Sequence, residues 1–258
     1  MTTALVTGAS AGIGREFARQ LSVRKHDVVL VARDGDRLEA LARDLERAYG
    51  TSPEPLAADL LTVNGLAAVE ARIADPDRPV DIVVNNAGFT TFGQFSEIDI
   101  DREEDEIRLN VLALVRLTHA ALAVMEPRGA GAVVNVSSLA AYQPSPTSAT
   151  YSATKAFVNS FTQAVHVEAR PRGVHVLLVC PGYTHTEFHE RAGLGAPGAP
   201  EFFWQTPEQV VTAALRDLDR RRAVSFPGML NRALAAVSSV TPAGITRRAA
   251  GIVVKRSQ

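Results

Sequence analysis

The sequence predicts a doubly wound α/β fold in which a single parallel sheet is covered by helices on both faces. Two patterns in the 258 residues lead to this prediction. Short apolar runs typical of buried strands alternate with longer stretches of helical periodicity. The first run is followed directly by a glycine-rich turn and a helix start, which is how a Rossmann-like βαβ unit begins.

The predicted elements follow one another without a repeat or a linker, so residues 1–258 are expected to form one domain. Strands are predicted near residues 4–6, 28–32, 55–58, 82–84, 132–137, 174–180 and 223–226. The clearest helical patterns run over Asp36–Ala48, Val63–Ile73, Asp101–Met125 and Thr150–Arg170. This alternation favours right-handed crossovers between parallel strands.

The composition argues against several classes of protein. A net charge of −1 gives no general attraction to nucleic acid or to anionic membranes. The single cysteine, Cys180, excludes an internal disulfide and is expected to be a buried strand thiol. The six histidines show no metal-ligand spacing, and we predict no metal site. Since a strand starts at once and no unbroken apolar run reaches ~18 residues, we expect a cytoplasmic protein without an integral membrane segment.

The turn after the first strand carries three glycines with the spacing Gly-x-x-x-Gly-x-Gly. Gly8 and Gly12 would let the backbone turn tightly and approach a pyrophosphate, while Gly14 would let the helix pack closely on the sheet. A second polar strand end, Asn85-Asn86-Ala87-Gly88, follows a later apolar strand. The two strand ends indicate a dinucleotide site.

A tyrosine and a lysine four residues apart, Tyr151 and Lys155, share one face of a predicted helix. A tyrosine titrates near pH ~10, so it needs a neighbouring cation to act as an acid or base at neutral pH. Ser138 stands thirteen positions earlier, at the end of a predicted strand, where a hydroxyl would face the ligand crevice. Ser137 leaves this register open by one residue, although the spacing to Tyr151 favours Ser138.

With these motifs in this order, the chain resembles the short-chain dehydrogenase/reductase family in its shorter, soluble form. The resemblance extends from about Thr3 to the strand near Val224 and implies hydride transfer with NAD or NADP. It implies that the catalytic residues are Asn110, Ser138, Tyr151 and Lys155. It also implies cofactor contacts from Gly8, Ser10, Gly12, Ile13, Gly14, Arg33, Asp59, Asn86, Ala87, Gly88, Tyr151, Lys155, Pro181, Gly182, Thr184 and Thr186.

The resemblance also implies what the catalytic side chains do. Tyr151 would donate a proton to the carbonyl oxygen, and Ser138 would hydrogen-bond the same oxygen. Lys155 would lower the pKa of the tyrosine and bind the nicotinamide ribose. Asn110, unusual inside a long helix, would hold a water that relays protons to Lys155.

Three predicted cofactor contacts have a simpler local alternative. Asp59 would contact the adenine, or it caps the residues that follow it. Thr184 and Thr186 would bind the nicotinamide amide, with Thr186 favoured by its spacing, or each hydroxyl bonds within its loop.

The residue after the second strand bears on the choice of cofactor. Ala32 occupies the place where a carboxylate would favour NAD, and Arg33 can pair with the 2′-phosphate of NADP. An ordinary surface arginine is the alternative, as for Arg37. Some NADP-dependent relatives carry a basic residue where this chain has Ala11. NADP is therefore favoured over NAD.

The resemblance implies a substrate lid at about 183–222, followed by an apolar extension at about 227–258. Aromatic residues are concentrated in segments expected around the crevice, which suggests an apolar substrate. They are Phe89, Phe92, Tyr142, Tyr183, Phe188, Phe202, Phe203 and Trp204. The extension would cover the site, contact another subunit or touch a membrane surface.

The leading function is therefore an NADPH-dependent reductase of a small apolar carbonyl compound, acting reversibly. The alternatives are a catalytically silent dinucleotide-sensing regulator and an isomerase or dehydratase of the same superfamily. The helices that begin near Asp101 and Thr150 carry more apolar residues than one covered face requires. A homodimer or homotetramer is expected from this surplus and from the resemblance.

Overall fold

The computed structural model describes residues 2–188 and 200–240. Within them, seven strands form one parallel sheet in the order β3-β2-β1-β4-β5-β6-β7. The strands are β1 Thr3–Thr7, β2 Asp27–Ala32, β3 Glu54–Ala57, β4 Ile82–Asn85, β5 Gly131–Val136, β6 Val174–Val179 and β7 Val224–Ser225. The predicted fold class is confirmed, and the strand order reverses between β1 and β4.

Eight α-helices connect or follow the strands within the described residues. They are α1 Gly12–Val23, α2 Gly35–Tyr49, α3 Val63–Ala74, α4 Ile100–Ile107, α5 Leu114–Arg128, α6 Ala149–Ala169, α7 Pro207–Asp219 and α8 Met229–Val240. A π-helical turn, Arg108–Ala113, joins α4 to α5, so the chain is helical from 100 to 128. The sequence analysis predicted this long helix but not its irregular centre.

Capping residues fix where α2 begins and ends and where α7 begins. Asp34 caps α2 by accepting a hydrogen bond from the backbone N–H of Arg37. Gly50 ends the same helix in the left-handed conformation, at φ +64°. Thr206 and Gln209 cap α7 reciprocally, because each side chain accepts from the other residue's backbone N–H.

The central strands β1, β2, β4, β5 and β6 are largely buried on both faces, which explains why they lack a polar alternation. On one face the sheet packs against α1, α2 and α7, including Phe17, Leu38 and Leu215. On the other face it packs against α3, α5 and α6, including Leu117 and Met125. The helical cover leaves the carboxyl ends of the strands as the open edge of the sheet.

By length and composition alone, one helix among the described residues, Ile100–Arg128, could cross a membrane. The sequence analysis counted only unbroken apolar runs, and Arg116 interrupts this one. Leu117, Ala121 and Met125 of this helix are buried against the sheet. Core helices of soluble proteins pass the same test of length and composition.

Two predicted segments lie partly outside the described residues. The predicted lid, 183–222, is described up to residue 188 and again from residue 200. The predicted extension, 227–258, is described up to residue 240, where α8 ends.

Candidate active site

A cleft of about 840 Å³ opens at the carboxyl ends of the strands, where the strand order reverses. This is the position at which open α/β sheets bind ligands. Most of the predicted site residues line it together: Gly8, Ser10, Gly12, Ile13, Arg33, Asp59, Asn86, Ala87, Gly88, Ser138, Tyr151, Lys155, Pro181, Gly182, Thr184 and Thr186. The two predicted residues outside its lining, Gly14 and Asn110, lie behind it.

The glycine turn is shaped by close approaches that exclude side chains. Gly8 has a φ of +67°, and a Cβ there would lie 2.8 Å from Nδ2 of Asn86. Gly12 has a φ of +52°, and its Cβ would lie 2.9 Å from the Thr186 methyl carbon. A Cβ at Gly14 would lie 2.2 Å from the carbonyl oxygen of Gly8. Gly14 therefore serves helix packing, and the turn leaves the start of α1 open toward the cleft.

Thr7 ties the ends of β1 and β4 together, a role that the sequence analysis missed. Its hydroxyl donates to the Val84 carbonyl (3.2 Å) and accepts from the backbone N–H groups of Asn86 (2.9 Å) and Ala87 (3.0 Å). Asn86 also donates through its side chain to the Thr7 carbonyl, at 2.9 Å. The floor of the cleft is thus a cross-linked pair of strand ends.

Ser138, Tyr151 and Lys155 meet in the middle of the cleft. The Ser138 side chain lies close enough to the Tyr151 hydroxyl to lower the pKa of that hydroxyl. The Lys155 ammonium lies 5.7 Å from the centre of the Tyr151 ring and donates to the Val136 carbonyl at 3.0 Å. Ser137 is buried and donates to the Lys155 carbonyl at 3.0 Å, so Ser138 is the serine that reaches the tyrosine.

Burial dominates the electrostatics of this group. It raises the pKa of Tyr151 to about 12, an effect that Ser138 opposes and that Glu106 reinforces. Burial also lowers the pKa of Lys155 to about 8, against the attraction of Glu106. The sequence analysis expected Lys155 to lower the tyrosine pKa. In this structure the lysine donates instead to the carbonyl of Val136, and desolvation outweighs any such effect.

Asn110 lies in the π-helical turn and is buried one layer behind the cleft. Its amide oxygen accepts from the Phe89 N–H at 3.1 Å, and its amide nitrogen donates to the Phe89 carbonyl at 2.9 Å and to Thr154 at 3.3 Å. A Cβ at Gly88 would lie 2.8 Å from Oδ1 of Asn110 and 3.6 Å from Nζ of Lys155. Gly88 therefore keeps the space beside both groups open.

At the opposite end, the residues after β2 and β3 form the wall of the cleft. Arg33 is exposed and lines it. Arg37 pairs with Asp34 at 3.4 Å and with Glu187 at 3.0 Å. Asp59 lines the cleft while its carboxylate accepts from the Leu61 N–H at 3.0 Å, so its two predicted roles are compatible.

The first residues of the predicted lid lie against the glycine turn. Thr184 is buried and donates to the Gly182 carbonyl at 3.0 Å. The Thr186 hydroxyl accepts from the Phe188 N–H at 3.3 Å, while its methyl group faces Gly12. Both threonines line the cleft and also make the local bonds considered as their alternative.

Only some of the aromatic residues expected around the crevice line it. Phe89, Tyr183 and Phe188 do, and the Phe188 ring lies 5.7 Å from the Tyr151 ring. The other five are absent from the cleft lining, which corrects the prediction. Phe92 and Phe202 are exposed, Phe203 packs on Phe202, Trp204 packs on Tyr183 and His185, and Tyr142 packs on Phe226.

Cys180 is a buried thiol at the end of β6, as predicted. Burial raises its pKa to about 12, and its sulfur lies 3.8 Å from the Tyr142 hydroxyl. A thiol held protonated in this way is a poor nucleophile.

Residues 2–195 match the model of the short chain dehydrogenase family. The chain belongs to this family. It is 31% identical to a very-long-chain 3-oxoacyl-CoA reductase of Anas platyrhynchos over 216 residues, which is 82% of this chain and 67% of the relative. The resemblance to the short-chain dehydrogenase/reductase family, predicted from the sequence motifs, is confirmed.

Two solved structures of similar dehydrogenases extend the likeness to the whole fold. A short-chain dehydrogenase of Sphingobium yanoikuyae, in complex with NADPH, is 38% identical with a TM-score of 0.85, covering 94% of this chain and 96% of that one. A bulky-bulky ketone specific alcohol dehydrogenase of Comamonas testosteroni is 32% identical with a TM-score of 0.80, covering 94% and 95%. This short-chain dehydrogenase is therefore an oxidoreductase.

Proposed function

We propose that this enzyme reduces an apolar ketone or aldehyde to an alcohol with NADPH, in a reversible reaction. The observation that carries the proposal is the placement of Ser138, the half-buried Tyr151 and Lys155 together in a cleft that ends at a glycine turn. The phenol of Tyr151 keeps its proton at neutral pH, and a charged Lys155 beside it would stabilise the phenolate that forms when that proton passes to a carbonyl oxygen.

The cleft fits a dinucleotide, because a Cβ at Gly8 or Gly12 would occupy the backbone cradle at the start of α1. A nicotinamide cofactor bound there supplies the hydride. Tyr151 then donates its proton to the substrate oxygen, and Ser138 holds that oxygen in place by a hydrogen bond. Lys155 orients the cofactor ribose and, when charged, favours the phenolate that remains.

Two observations support NADP as the cofactor. Arg33 lines the cleft after β2, where no carboxylate takes the position that favours NAD. The similar Sphingobium enzyme was solved in complex with NADPH. We assign the 2′-phosphate to Arg33, since Arg37 is already paired with two carboxylates.

An apolar substrate is supported by the side chains near Tyr151. Phe89, Leu109, Tyr183 and Phe188 line the cleft, and Phe188 packs against the Tyr151 ring. A related enzyme, that of Comamonas, is described as specific for bulky-bulky ketones. Ketones with large groups on both sides of the carbonyl are therefore the first class to test.

The test compares NADPH oxidation with valerophenone, which is bulky and apolar, and with acetone. We expect turnover of valerophenone and a much lower kcat/KM for acetone. The Tyr151→Phe variant should lose roughly two or more orders of magnitude in kcat while it binds NADPH as before, because only the proton donor is removed. Undiminished kcat in this variant would contradict the assignment of Tyr151, and equal kcat/KM values for the two ketones would contradict the apolar substrate.

A further inference from the structure

Two buried glutamates lie behind the active site on one face of α4. Glu106 has no exposed surface, and Glu103, one turn earlier, is 3% exposed. Carboxylates are almost never buried to this extent unless they are paired or protonated. Within the described residues neither glutamate forms an ion pair with a basic side chain, so another arrangement must hold them.

A single hydroxyl group, that of Thr91, lies between the two carboxyl groups. Its oxygen is 2.5 Å from Oε1 of Glu103 and 2.8 Å from Oε2 of Glu106. A threonine hydroxyl has one hydrogen and can donate to only one of them. The second short contact needs a proton on a carboxyl group, so the two glutamates together hold one proton at this site.

The surrounding donors indicate which glutamate carries that proton. Glu103 also accepts from the Thr150 hydroxyl, so two hydroxyl groups can stabilise its anion. Glu106 accepts the Thr91 backbone N–H at 2.9 Å, while its Oε1 has no hydrogen-bond partner among the described residues. Burial raises the pKa of Glu106 above that of an ordinary glutamate. The hydrogen-bond arrangement consistent with these contacts has the Glu106 carboxyl O–H donating to the Thr91 oxygen and the Thr91 O–H donating to Glu103.

Three structural relations connect this carboxyl pair to the active site. Glu106 lies one helical turn before Asn110, on the same face, and one loop segment holds both through the N–H groups of Thr91 and Phe89. Thr150, which donates to Glu103, directly precedes Tyr151.

The charged and titratable groups around Glu106 are few. α6 contributes Tyr151 and Lys155, and the buried thiol of Cys180 acts on the pKa of that lysine. The loop over 86–91 contains no titratable residue. On α4 itself, Arg102 lies over the Phe89 ring at 4.9 Å, and Glu103 is the other acid of the pair.

We propose that Glu106 is a positioning residue whose buried carboxyl group, sharing one proton with Glu103 through Thr91, sets the pH at which Tyr151 stops acting as a proton donor. The inference rests on the proposed role of Tyr151. When Glu106 loses its proton, a negative charge appears beside Tyr151 and Lys155. Both groups then hold their protons more tightly, since a like charge disfavours the phenolate and an opposite charge favours the ammonium.

The experiment measures the pH profile of kcat/KM for valerophenone reduction by the full-length enzyme with NADPH. Reduction needs a protonated donor, so activity falls on the alkaline side. In Glu106→Gln the midpoint of that fall should move to lower pH by on the order of one pH unit, because glutamine cannot acquire the negative charge that Glu106 gains when it loses its proton. Glu104→Gln is the matched control, since Glu104 is exposed on the same helix and pairs only with Arg108; its midpoint should stay in place.

A second readout follows the shared proton directly. The infrared spectrum of the unmutated enzyme should contain the carbonyl band of a protonated carboxyl group that disappears in Glu106→Gln and persists in Glu104→Gln. Absence of that band, or an unshifted midpoint in a Glu106→Gln enzyme that still binds NADPH, would overturn the inference. Full activity of Tyr151→Phe would instead overturn the proposed function, so the two failures are distinct.

A further variant covers the case in which Glu106→Gln does not fold. Thr91→Val keeps the shape of the side chain and removes the hydroxyl that accepts from Glu106 and donates to Glu103. The Glu106 carboxyl group then loses the acceptor of its O–H, so its infrared carbonyl band should move to a different frequency. Thr90→Val is its control, because the neighbouring Thr90 hydroxyl donates only to the Thr91 carbonyl. The same carbonyl band in Thr91→Val and in Thr90→Val would also overturn the inference.

Discussion

At the scale of single residues, the proposed chemistry depends on burying groups that are costly to bury. Lys155 is 5% exposed, and the same burial that lowers its pKa to about 8 raises that of Tyr151 to about 12. The unpaired Oε1 of Glu106 is a third group of this kind. Perturbed ionisable groups clustered in and behind one cleft are typical of functional sites. The burial of the two apolar layers that cover the sheet offsets the free-energy cost of burying these polar groups.

The Arg33→Ala substitution tests the cofactor assignment at this scale. Removing a charge-assisted hydrogen bond to the 2′-phosphate should weaken NADPH binding by roughly one to two orders of magnitude and leave NADH binding unchanged. Titration of both cofactors by fluorescence provides the measurement. Arg37→Ala is the control and should have a smaller effect, because Arg37 is engaged by Asp34 and Glu187. Equal dissociation constants for NADPH and NADH in the unmutated enzyme would refute the preference.

Residues in fixed local spacing could be predicted from the sequence, whereas those defined by distant contacts could not. Tyr151 and Lys155 are one helical turn apart, so their proximity follows from helix geometry. Thr7 is a site residue because it bonds Asn86, 79 positions away. Glu106 is a site residue because it contacts Thr91, 15 positions earlier. In the sequence it belongs to the acidic run Glu-Glu-Asp-Glu, a pattern typical of a solvent-exposed helix face. A buried Glu106 is therefore not visible in the sequence.

At the scale of elements, the site is built where regular structure is interrupted. The π-helical turn Arg108–Ala113 brings Asn110 behind Gly88, and such turns are frequent at functional sites. The sequence marked this place only by an asparagine inside a helix, since π-helical turns lack a distinctive residue pattern. The glycine turn, by contrast, could be predicted from the sequence, because each close approach of the backbone requires a residue without a Cβ.

Gly14→Ala tests the packing of α1 on the sheet. The added Cβ would lie 2.2 Å from the Gly8 carbonyl oxygen, so backbone must move. We expect the free energy of unfolding to fall by roughly 1–3 kcal/mol and NADPH binding to weaken, as the glycine turn shifts. Gly35→Ala is the control at the start of α2, because its Cβ would make an ordinary contact with Ala57 at 3.5 Å. Equal stability of the two variants, measured by urea unfolding, would show that the turn accommodates the methyl group.

At the scale of the whole molecule, the long helices present more apolar surface than the sheet covers. Leu117 and Val165 from the predicted stripes are buried in the core, as one covered face requires. Leu112 and Phe157 are 51% and 46% exposed, on neighbouring helical segments. Ile107 is also exposed. Exposed apolar side chains on these helices, Leu112 and Phe157 above all, favour contact with a second copy of the chain.

We therefore expect a homo-oligomer whose interface includes Leu112 and Phe157. Light scattering at micromolar concentration should give at least twice the chain mass of 27.6 kDa, and Leu112→Glu with Phe157→Glu should lower it because two charges would be desolvated in the interface. Val63→Glu is the control, since Val63 is 85% exposed at the start of α3, where an acidic side chain suits the helix N-terminus. A mass near 27.6 kDa for the unmutated chain would exclude the oligomer, and a change caused equally by Val63→Glu would place the interface elsewhere.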